Sequence, residues 1–175
     1  NKLMAELNGR PLAVHALALA AAPVFAGRIA VTRSAEVEAL CRAEGFPVLR
    51  HAEPRRSDTV RLGLTALLTQ QPGLQGCVFL PGDQPCLTRQ TLEALAIGTA
   101  PDTIWRPAAP DGTPGSPVLF GRDYFAALLH LPEGCGGSAV LRDHPQAIRL
   151  LPTPAAELRD IDTRSDLEAL RGDKG

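Results

Sequence analysis

Helix-like and strand-like segments alternate along the whole chain. The helical segments place apolar residues three and four positions apart, and the strand-like runs are short and rich in β-branched residues. We predict helices near residues 10–22, 34–44, 59–70, 88–97, 123–131, 138–144 and 164–171, and strands near 28–32, 47–49, 76–80, 103–106, 117–120 and 147–151. This alternation is typical of βαβ units, so it predicts an α/β fold with a mostly parallel sheet.

The size and charge of the chain limit the functions it can have. Its 175 residues are sufficient for one domain with its own apolar core. Segment 107–117 is rich in proline and glycine but is too short to be an interdomain spacer, so we interpret it as a functional loop or a hairpin. The formal net charge is −1 and the basic residues are scattered, which argues against nucleic acid as a partner.

The most apolar segment, residues 11–27, has two interpretations. It follows Lys2 and Arg10, as the apolar part of a secretory signal would. However, His15 and Pro23 interrupt it, and it is shorter than the ~20 residues of a spanning helix. We therefore predict a first helix that packs on the sheet, and no association with a membrane.

The cysteines indicate a reducing compartment. The chain has four cysteines, and their spacing matches neither a zinc site nor a redox pair. We expect free thiols, with Cys77 in the core of a strand, and a cytoplasmic protein.

A carboxylate follows one of the most apolar predicted strands. The stretch L-P-G-D-Q-P places Asp83 just after the run 77–80. In open parallel sheets the ligand crevice lies beyond the carboxyl ends of the strands, so we expect Asp83 to lie in that crevice. Mg²⁺ needs few protein oxygens, because waters and substrate phosphates complete its ligands, and Asp83 is our candidate metal ligand. The alternative is that Asp83 begins a turn or caps the next helix.

A polar stretch opens the helix predicted at 59–70. Ser57, Asp58 and Thr59 bring hydroxyl and carboxylate groups to a helix start, where backbone N–H groups can bind a phosphate or the edge of a base. We take these three residues as candidate nucleotide-binding residues. The alternative is that Ser57 or Asp58 only caps the helix.

Small residues stand at the beginning of another predicted strand. Gly115, Ser116 and Pro117 precede the run V-L-F, and small side chains there let a ligand approach the backbone. They are candidate substrate-binding residues, and a plain turn is the alternative.

Two acids lie close to the carboxyl end of the chain. Asp160 and Asp162 flank Ile161 in a strand-like segment, so alternation places both carboxylates on one side. One of them can face the site and complete the surroundings of the metal, and Asp162 is our second candidate ligand. The alternative is that both cap or solvate the last helix, where Thr163 and Asp166 resemble a capping box.

Taken in this order, the motifs resemble those of the molybdenum cofactor cytidylyltransferases. The matching segments are N-K-L with L-N-G-R-P-L, then S-D-T-V-R-L-G-L, L-P-G-D-Q-P, G-S-P-V-L-F and D-I-D-T-R-S-D-L, and they cover nearly the whole chain. The wider group of MocA- and MobA-like nucleotidyltransferases includes the guanylyltransferases of the same cofactor. The resemblance implies one nucleotidyltransferase domain over residues 1–175, with a Rossmann-like, three-layer fold.

The resemblance also implies an activity and roles for residues. The activity is transfer of CMP from CTP to the terminal phosphate of molybdopterin, with Mg²⁺ as the cofactor and loss of pyrophosphate. Asp83 would hold Mg²⁺, Lys2 would bind phosphate, and Pro81 and Gly82 would contact the nucleotide. The implied partners are CTP and molybdopterin, with a molybdoenzyme or its chaperone as a further partner.

Three other functions remain open from the sequence. They are a guanylyltransferase that uses GTP, an enzyme similar to the sugar-nucleotide pyrophosphorylases, and a chaperone that binds the finished cofactor without catalysis. The stretch R-R-S-D at residues 55–58 is closer to the methylerythritol phosphate cytidylyltransferases. Both of these relatives use CTP, which favours cytosine over guanine.

The sequence departs from the family pattern in two places. The pattern begins with a strand and a glycine-rich loop just before N-K-L, whereas the sequence begins at Asn1. We therefore expect the first strand and this loop to be lacking, and triphosphate binding to be weak, because backbone N–H groups of the loop form the cradle. Residues 134–138 read G-C-G-G-S where the family tends to have G-D-x-G-A, so the contact made by that aspartate is not expected here.

Overall fold

The computed structural model describes residues 1–172, and helices and strands alternate along them as predicted. The strands are β1 (Glu6–Leu7), β2 (Arg10–Pro11), β3 (Ala30–Thr32), β4 (Val48–Arg50), β5 (Gly76–Phe79), β6 (Ile104–Ala108), β7 (Val118–Gly121) and β8 (Ile148–Pro152). The α-helices are α1 (Leu12–Ala20), α2 (Ala35–Ala43), α3 (Arg56–Gln70), α4 (Arg89–Ile97), α5 (Phe125–Leu129), α6 (Ser138–Asp143) and α7 (Arg164–Gly172). Short 3₁₀ turns lie at Lys2–Met4, Arg122–Tyr124, Pro145–Ala147 and Ala155–Leu158. The predicted α/β class is confirmed.

The largest sheet is mixed rather than parallel. Its four strands lie in the order β5-β7-β6-β8. β6 and β8 are parallel, whereas β7 is antiparallel to both β5 and β6. β7 runs backwards because residues 109–117 connect it to β6 as a hairpin without a crossover helix. A separate parallel pair is formed by β3 and β4.

A small hairpin near the beginning of the chain was not predicted. β1 and β2 pair antiparallel, with Leu7 opposite Arg10. Asn8 and Gly9 connect them with φ angles of 54° and 74°. Asn-Gly is a strong signal for a two-residue hairpin turn, because both central positions need positive φ. The predicted helix therefore begins two residues later than expected, at Leu12.

One apolar cluster joins the helices to the four-stranded sheet. Leu64 of α3, Cys77 of β5, Ile104 of β6, Phe120 of β7 and Leu128 of α5 are all buried in it. Burial of each such side chain contributes about 1.5–3 kcal/mol. The prediction that Cys77 lies in a strand core is confirmed.

A second apolar cluster links the two ends of the described chain. Leu7 and Leu12 from the first hairpin and helix pack with Ile161 and Leu167. The cluster holds the segment that contains Asp162 beside the beginning of the chain, which is a contact that the sequence pattern did not predict.

Side chains cap the beginnings of several helices, but not that of α3. The hydroxyls of Ser34 and Thr88 each accept a hydrogen bond from the backbone three residues on. Thr163 and Asp166 form a reciprocal pair, in which the Thr163 amide donates to the carboxylate and the Asp166 amide donates to the hydroxyl. At α3 the N-cap is Arg55, with no side-chain hydrogen bond. The alternative that Ser57 or Asp58 caps α3 is therefore wrong.

The parallel pair and the four-stranded sheet are separated by a cavity. Within residues 1–172, β3 pairs with β4, β5 pairs with β7, and β3 and β5 do not pair with each other. Val31 of β3 and Cys77 of β5 both line a cavity of about 750 Å³, together with residues of α1, α2 and α3. We call it the large cavity. The expectation that the family's first strand is lacking stays a prediction.

The first helix is too short to be a membrane anchor. α1 spans nine residues. Over residues 1–172, the structure has no helix that combines the length and apolarity needed to cross a membrane.

Candidate functional site

Packing and one backbone hydrogen bond position the two candidate acids. Asp83 follows the carboxyl end of β5, as predicted. Its carbonyl oxygen accepts a hydrogen bond of 2.9 Å from the Ile161 amide. Ile161 is buried in the second apolar cluster, so the segment that carries Asp160 and Asp162 lies fixed beside Asp83.

Lys2 lies between two carboxylates. Its Nζ is 2.6 Å from Asp83 Oδ2 and 2.8 Å from Asp162 Oδ1. The Asp83 side chain is 20% exposed, whereas those of Lys2 and Asp162 are 44% and 71% exposed. Three residues that the sequence analysis selected separately are thus brought together at one place.

The electrostatics of this cluster favour a charged lysine. The hydrogen bonds to Asp162 and Asp83, in that order of size, raise the pKa of Lys2 from 10.5 to about 12. The ammonium therefore carries its charge throughout the neutral range. A permanent cation held at the carboxyl end of a strand can bind an anionic group such as a phosphate.

The two acids also suit a hard divalent cation. Carboxylate oxygens are the ligands that Mg²⁺ prefers, and one or two of them are enough when substrate phosphates supply other ligands. Residues 1–172 hold no group of three or more histidine, cysteine or acidic side chains placed to ligate a metal. Asp83 and Asp162, which share Lys2 between them, remain the two acids that the sequence predicts as metal ligands.

The beginning of α3 contributes a polar face to the large cavity. Thr59 and Arg56 line this cavity, and Thr59 Oγ1 lies 3.1 Å from His51 Nε2. The three predicted nucleotide residues lie in the first turn of α3, which begins at Arg56 and not at the predicted residue 59. Ser57 is buried, and the Asp58 carboxylate pairs with Arg61 at 3.3 Å.

His51 is a residue of this region that the sequence analysis missed. It directly follows β4, and its Nδ1 is buried without a hydrogen-bond partner within residues 1–172. Its position after a strand was the available signal, because ligands of open sheets bind beyond the carboxyl ends of strands.

Pro81 and Gly82 line the large cavity, as does Ser116. A Cβ on Gly82 would lie 3.1 Å from Leu3 Cδ2, so a glycine allows the N-terminal turn to approach the strand end closely. These predicted residues therefore share a cavity with Thr59. Asp83 and Lys2 do not line it.

The predicted substrate segment adopts a tight conformation. The Ser116–Pro117 peptide bond is cis, and Pro117 is buried. The Gly115 carbonyl oxygen accepts a hydrogen bond of 3.0 Å from Arg106 Nε. Arg106 is a further residue that the sequence analysis missed, because nothing in its strand pattern distinguishes it from an ordinary strand residue.

Asp160 turns to a different partner from Asp162. Its Oδ1 accepts a hydrogen bond of 2.7 Å from Gln84 Nε2. Gln84 is almost fully buried, and its Oε1 has no hydrogen-bond partner within residues 1–172. Of the two acids, Asp162 lies beside Lys2, and its role as a metal ligand stays a prediction. The alternative that both acids only cap or solvate the last helix does not describe their contacts.

Comparison with known protein families identifies the family of the chain. The family model for the MobA-like NTP transferase domain matches residues 1–148. A comparison with curated protein sequences finds no match.

Several solved structures have the same fold. Rv0371C of Mycobacterium tuberculosis H37Rv, solved in complex with manganese, is 24% identical, with a TM-score of 0.79 over 97% of this chain and 90% of that one. A nucleotidyl transferase of Methanothermobacter thermautotroptrophicus, Mth528, is 23% identical, with a TM-score of 0.76 over 98% and 84%. A CMP:2-keto-3-deoxy-manno-octonic acid synthetase complexed with CTP is 17% identical, with a TM-score of 0.75 over 99% and 91%.

At these identities the likeness shows the fold, and it confirms the expected Rossmann-like, three-layer nucleotidyltransferase class. The family match covers residues 1–148 of the 175 in the chain. The protein therefore belongs to the MobA-like NTP transferase domain family.

Proposed function

We propose that the protein transfers CMP from CTP to the terminal phosphate of molybdopterin and releases pyrophosphate. The observation that carries this proposal is the meeting of Lys2, Asp83 and Asp162 at the end of β5. Phosphoryl transfer needs positive charge near the phosphates and an oxygen-rich site for a divalent cation, and this cluster offers groups for both.

In such a reaction the barrier is lowered mainly by the positioning of the reactants and by the stabilisation of negative charge. The acceptor phosphate is already an anion, so no general base is required to make it a nucleophile. Its oxygen attacks the α-phosphorus in line, and the bond from that phosphorus to the pyrophosphate oxygen breaks. Lys2 neutralises charge on the triphosphate, for which its ammonium must move away from at least one of its two carboxylates.

Asp83 and Asp162 are the residues that would hold Mg²⁺. When bound, the ion supplies Lewis-acid charge that stabilises the transferring phosphoryl group. The oxygen-only character of this pair fits Mg²⁺ and Mn²⁺ alike. The manganese complex of the similar mycobacterial protein is consistent with a divalent ion in this fold.

Two observations support CTP as the nucleotide. One structurally similar protein is a CMP-sugar-acid synthetase complexed with CTP. In this chain, Thr59 and His51 form a compact polar pair beside the large cavity. Such a pair can hydrogen-bond the edge of a pyrimidine, and a site built this way disfavours a base that leaves its polar groups unpaired.

Product analysis tests the proposal directly. The full-length protein is incubated with molybdopterin, Mg²⁺ and either CTP or GTP, and the product is examined by mass spectrometry. We expect molybdopterin that carries CMP, with pyrophosphate released in equal amount. Transfer to a sugar phosphate but not to molybdopterin, or tight binding of molybdopterin without pyrophosphate release, would contradict the proposal.

A further inference from the structure

A second cavity lies close to the cluster of Lys2, Asp83 and Asp162, which we call the Lys2 cluster. Its volume is about 390 Å³, which is within the usual range for small-molecule sites. Its polar lining includes Gln84, Arg106, Thr113, Ser116 and Asp160. We call it the small cavity. Its lining includes Gly115 and Ser116 of the predicted substrate segment.

The small cavity is held close to the Lys2 cluster by covalent and hydrogen bonds. Gln84 directly follows Asp83, and Asp160 stands two residues before Asp162. Gln84 and Asp160 are bonded to each other on the cavity side, while Asp83 and Asp162 meet at Lys2. The segments 83–84 and 160–162 therefore lie side by side. Asp83 and Asp162 point to the Lys2 cluster, whereas Gln84 and Asp160 line the small cavity.

Arg106 is a cation of this cavity that forms no ion pair with the other described residues. It lies on β6 and is half-buried, and it lines both the small and the large cavity. Within residues 1–172 it forms no ion pair, and its hydrogen bond there is made by Nε, not by the two terminal nitrogens. Burial lowers the pKa of Arg106, yet a guanidinium remains charged in proteins. A partly desolvated guanidinium of this kind favours a phosphate or carboxylate as its partner.

The acids of the small cavity already have partners. Asp111 Oδ1 accepts a hydrogen bond of 2.9 Å from the Thr113 amide, and Asp160 Oδ1 accepts one from Gln84. Both residues are exposed, so water screens their charge. Gln84 Oε1, in contrast, is a buried acceptor without a donor in the described residues. The lining thus combines the positively charged guanidinium of Arg106 with acceptors for hydroxyl or N–H groups.

We propose that the small cavity is the acceptor site, and that Arg106 binds the phosphate of the acceptor through its terminal nitrogens. The ligand class is a phosphomonoester with hydroxyl or N–H groups near the phosphate. This proposal rests on the proposed function. Two phosphate oxygens contact Arg106, and a third forms the new bond to the α-phosphorus of the nucleotide while pyrophosphate leaves with the electron pair of the broken bond.

Titration of a simple phosphomonoester tests the site without turnover. Binding of glycerol 3-phosphate is followed by ³¹P NMR with the full-length protein, in the absence of nucleotide. We expect Arg106→Gln to weaken binding at least tenfold. Arg106→Lys should weaken it less, because lysine keeps the positive charge but cannot bind two phosphate oxygens as a planar guanidinium does. The control is Arg89→Gln, which removes an exposed arginine that pairs with Glu93 on α4, and it should leave binding unchanged.

A second variant distinguishes a blocked cavity from a folding defect caused by substitution of Arg106. Ala155 is exposed at the rim of the small cavity, so Ala155→Trp fills the cavity from the solvent side without altering Arg106 or the core. We expect it to weaken binding of glycerol 3-phosphate by a similar factor, while the affinity for CTP with Mg²⁺ stays within twofold of the wild type and the unfolding temperature does not change.

The outcomes separate this proposal from the proposed function. Binding that depends on Arg106 and Ala155, in a protein that transfers no CMP, would contradict the proposed function but keep the phosphate site. Binding unaffected by either variant would overturn the site. An equal loss of CTP and glycerol 3-phosphate binding in Arg106→Gln, with binding retained in Ala155→Trp, would also overturn it, because Arg106 would then only support the Gly115 carbonyl.

Discussion

Lys2 Nζ lies 2.6 Å from Asp83 Oδ2, and the same nitrogen reaches Asp162. The cation and the acids that phosphoryl transfer needs are therefore neighbours in the folded chain. Because Lys2 and Asp162 are largely exposed, these ion pairs contribute at most about 1 kcal/mol to stability. In the proposed function these residues serve binding and charge at the site, so substitutions there should separate activity from stability.

Substitution of Lys2 tests its role in phosphate binding. We expect Lys2→Met to lower pyrophosphate release by at least about 100-fold, because it removes a charge that stabilises the transition state. Lys2→Arg should retain more of the activity, since it keeps the cation. Arg10→Met is the control, because Arg10 is an exposed cation of the same segment that pairs with Glu44. Similar activity of Lys2→Met and Arg10→Met would show that Lys2 is only a surface residue.

Base choice tests the role of Thr59. We expect turnover with CTP to exceed turnover with GTP by at least about tenfold, and Thr59→Val to reduce that ratio, because a site that hydrogen-bonds one base leaves polar groups unpaired with another. Thr69→Val is a matched control on the same helix, since the Thr69 hydroxyl is exposed and bonds only to Thr65 O among the described residues. The ratio of kcat/KM for the two nucleotides is measured. Equal use of CTP and GTP by the wild type would remove the cytidylyl part of the account.

Part of this site was predictable because strand ends have a general meaning in α/β proteins. Asp83 could be selected from its place after an apolar run. The cap of α7 was equally clear, since Thr163 and Asp166 have the required spacing. Both features depend on residues that are close in sequence, where local geometry is decisive.

Other parts depend on contacts between distant segments. Lys2 was selected through a family resemblance, and its two carboxylates come from positions 83 and 162. The order of the four strands follows from packing that periodicity does not encode. Arg106 also looked ordinary, because its proposed role depends on the hydrogen bond to Gly115 and on its having no ion pair within residues 1–172. The Asn8–Gly9 turn, in contrast, was a local signal that the sequence analysis overlooked.

The close packing at the end of β7 gives a stability prediction. A Cβ at Gly121 would overlap the carbonyl oxygens of Ala100 and Pro101, which are backbone atoms. We expect Gly121→Ala to lower the free energy of unfolding by about 3 kcal/mol, the upper range for overpacking. Gly73→Ala is the control, because no atom lies within 4 Å of its Cβ position, and its effect should stay within about 0.5 kcal/mol. Chemical denaturation measures both values, and equal stability of the two variants would contradict this packing.

The large cavity between β3 and β5 gives a prediction about nucleotide affinity. We expect a protein in which the family's strand and glycine-rich loop are placed ahead of Asn1 to bind CTP with Mg²⁺ at least tenfold more tightly than the 175-residue chain. The loop would add backbone N–H donors for the triphosphate, and the strand would pair with edges of β3 and β5 that no strand within residues 1–172 pairs. Titration calorimetry compares the two proteins. Equal affinity would mean that the nucleotide is held by other residues.

The central claim is that Asp83 serves the reaction rather than the fold, and Asp83→Asn tests it most directly. Mg²⁺-dependent pyrophosphate release from CTP is measured with the full-length wild type, with Asp83→Asn, and with Asp102→Asn, which changes an exposed acid elsewhere on the surface. The account predicts a loss of at least about 100-fold for Asp83→Asn, wild-type activity for Asp102→Asn, and changes in unfolding free energy within about 1 kcal/mol for both. Near wild-type activity of Asp83→Asn would contradict the assignment of Asp83 and, with it, the proposed site.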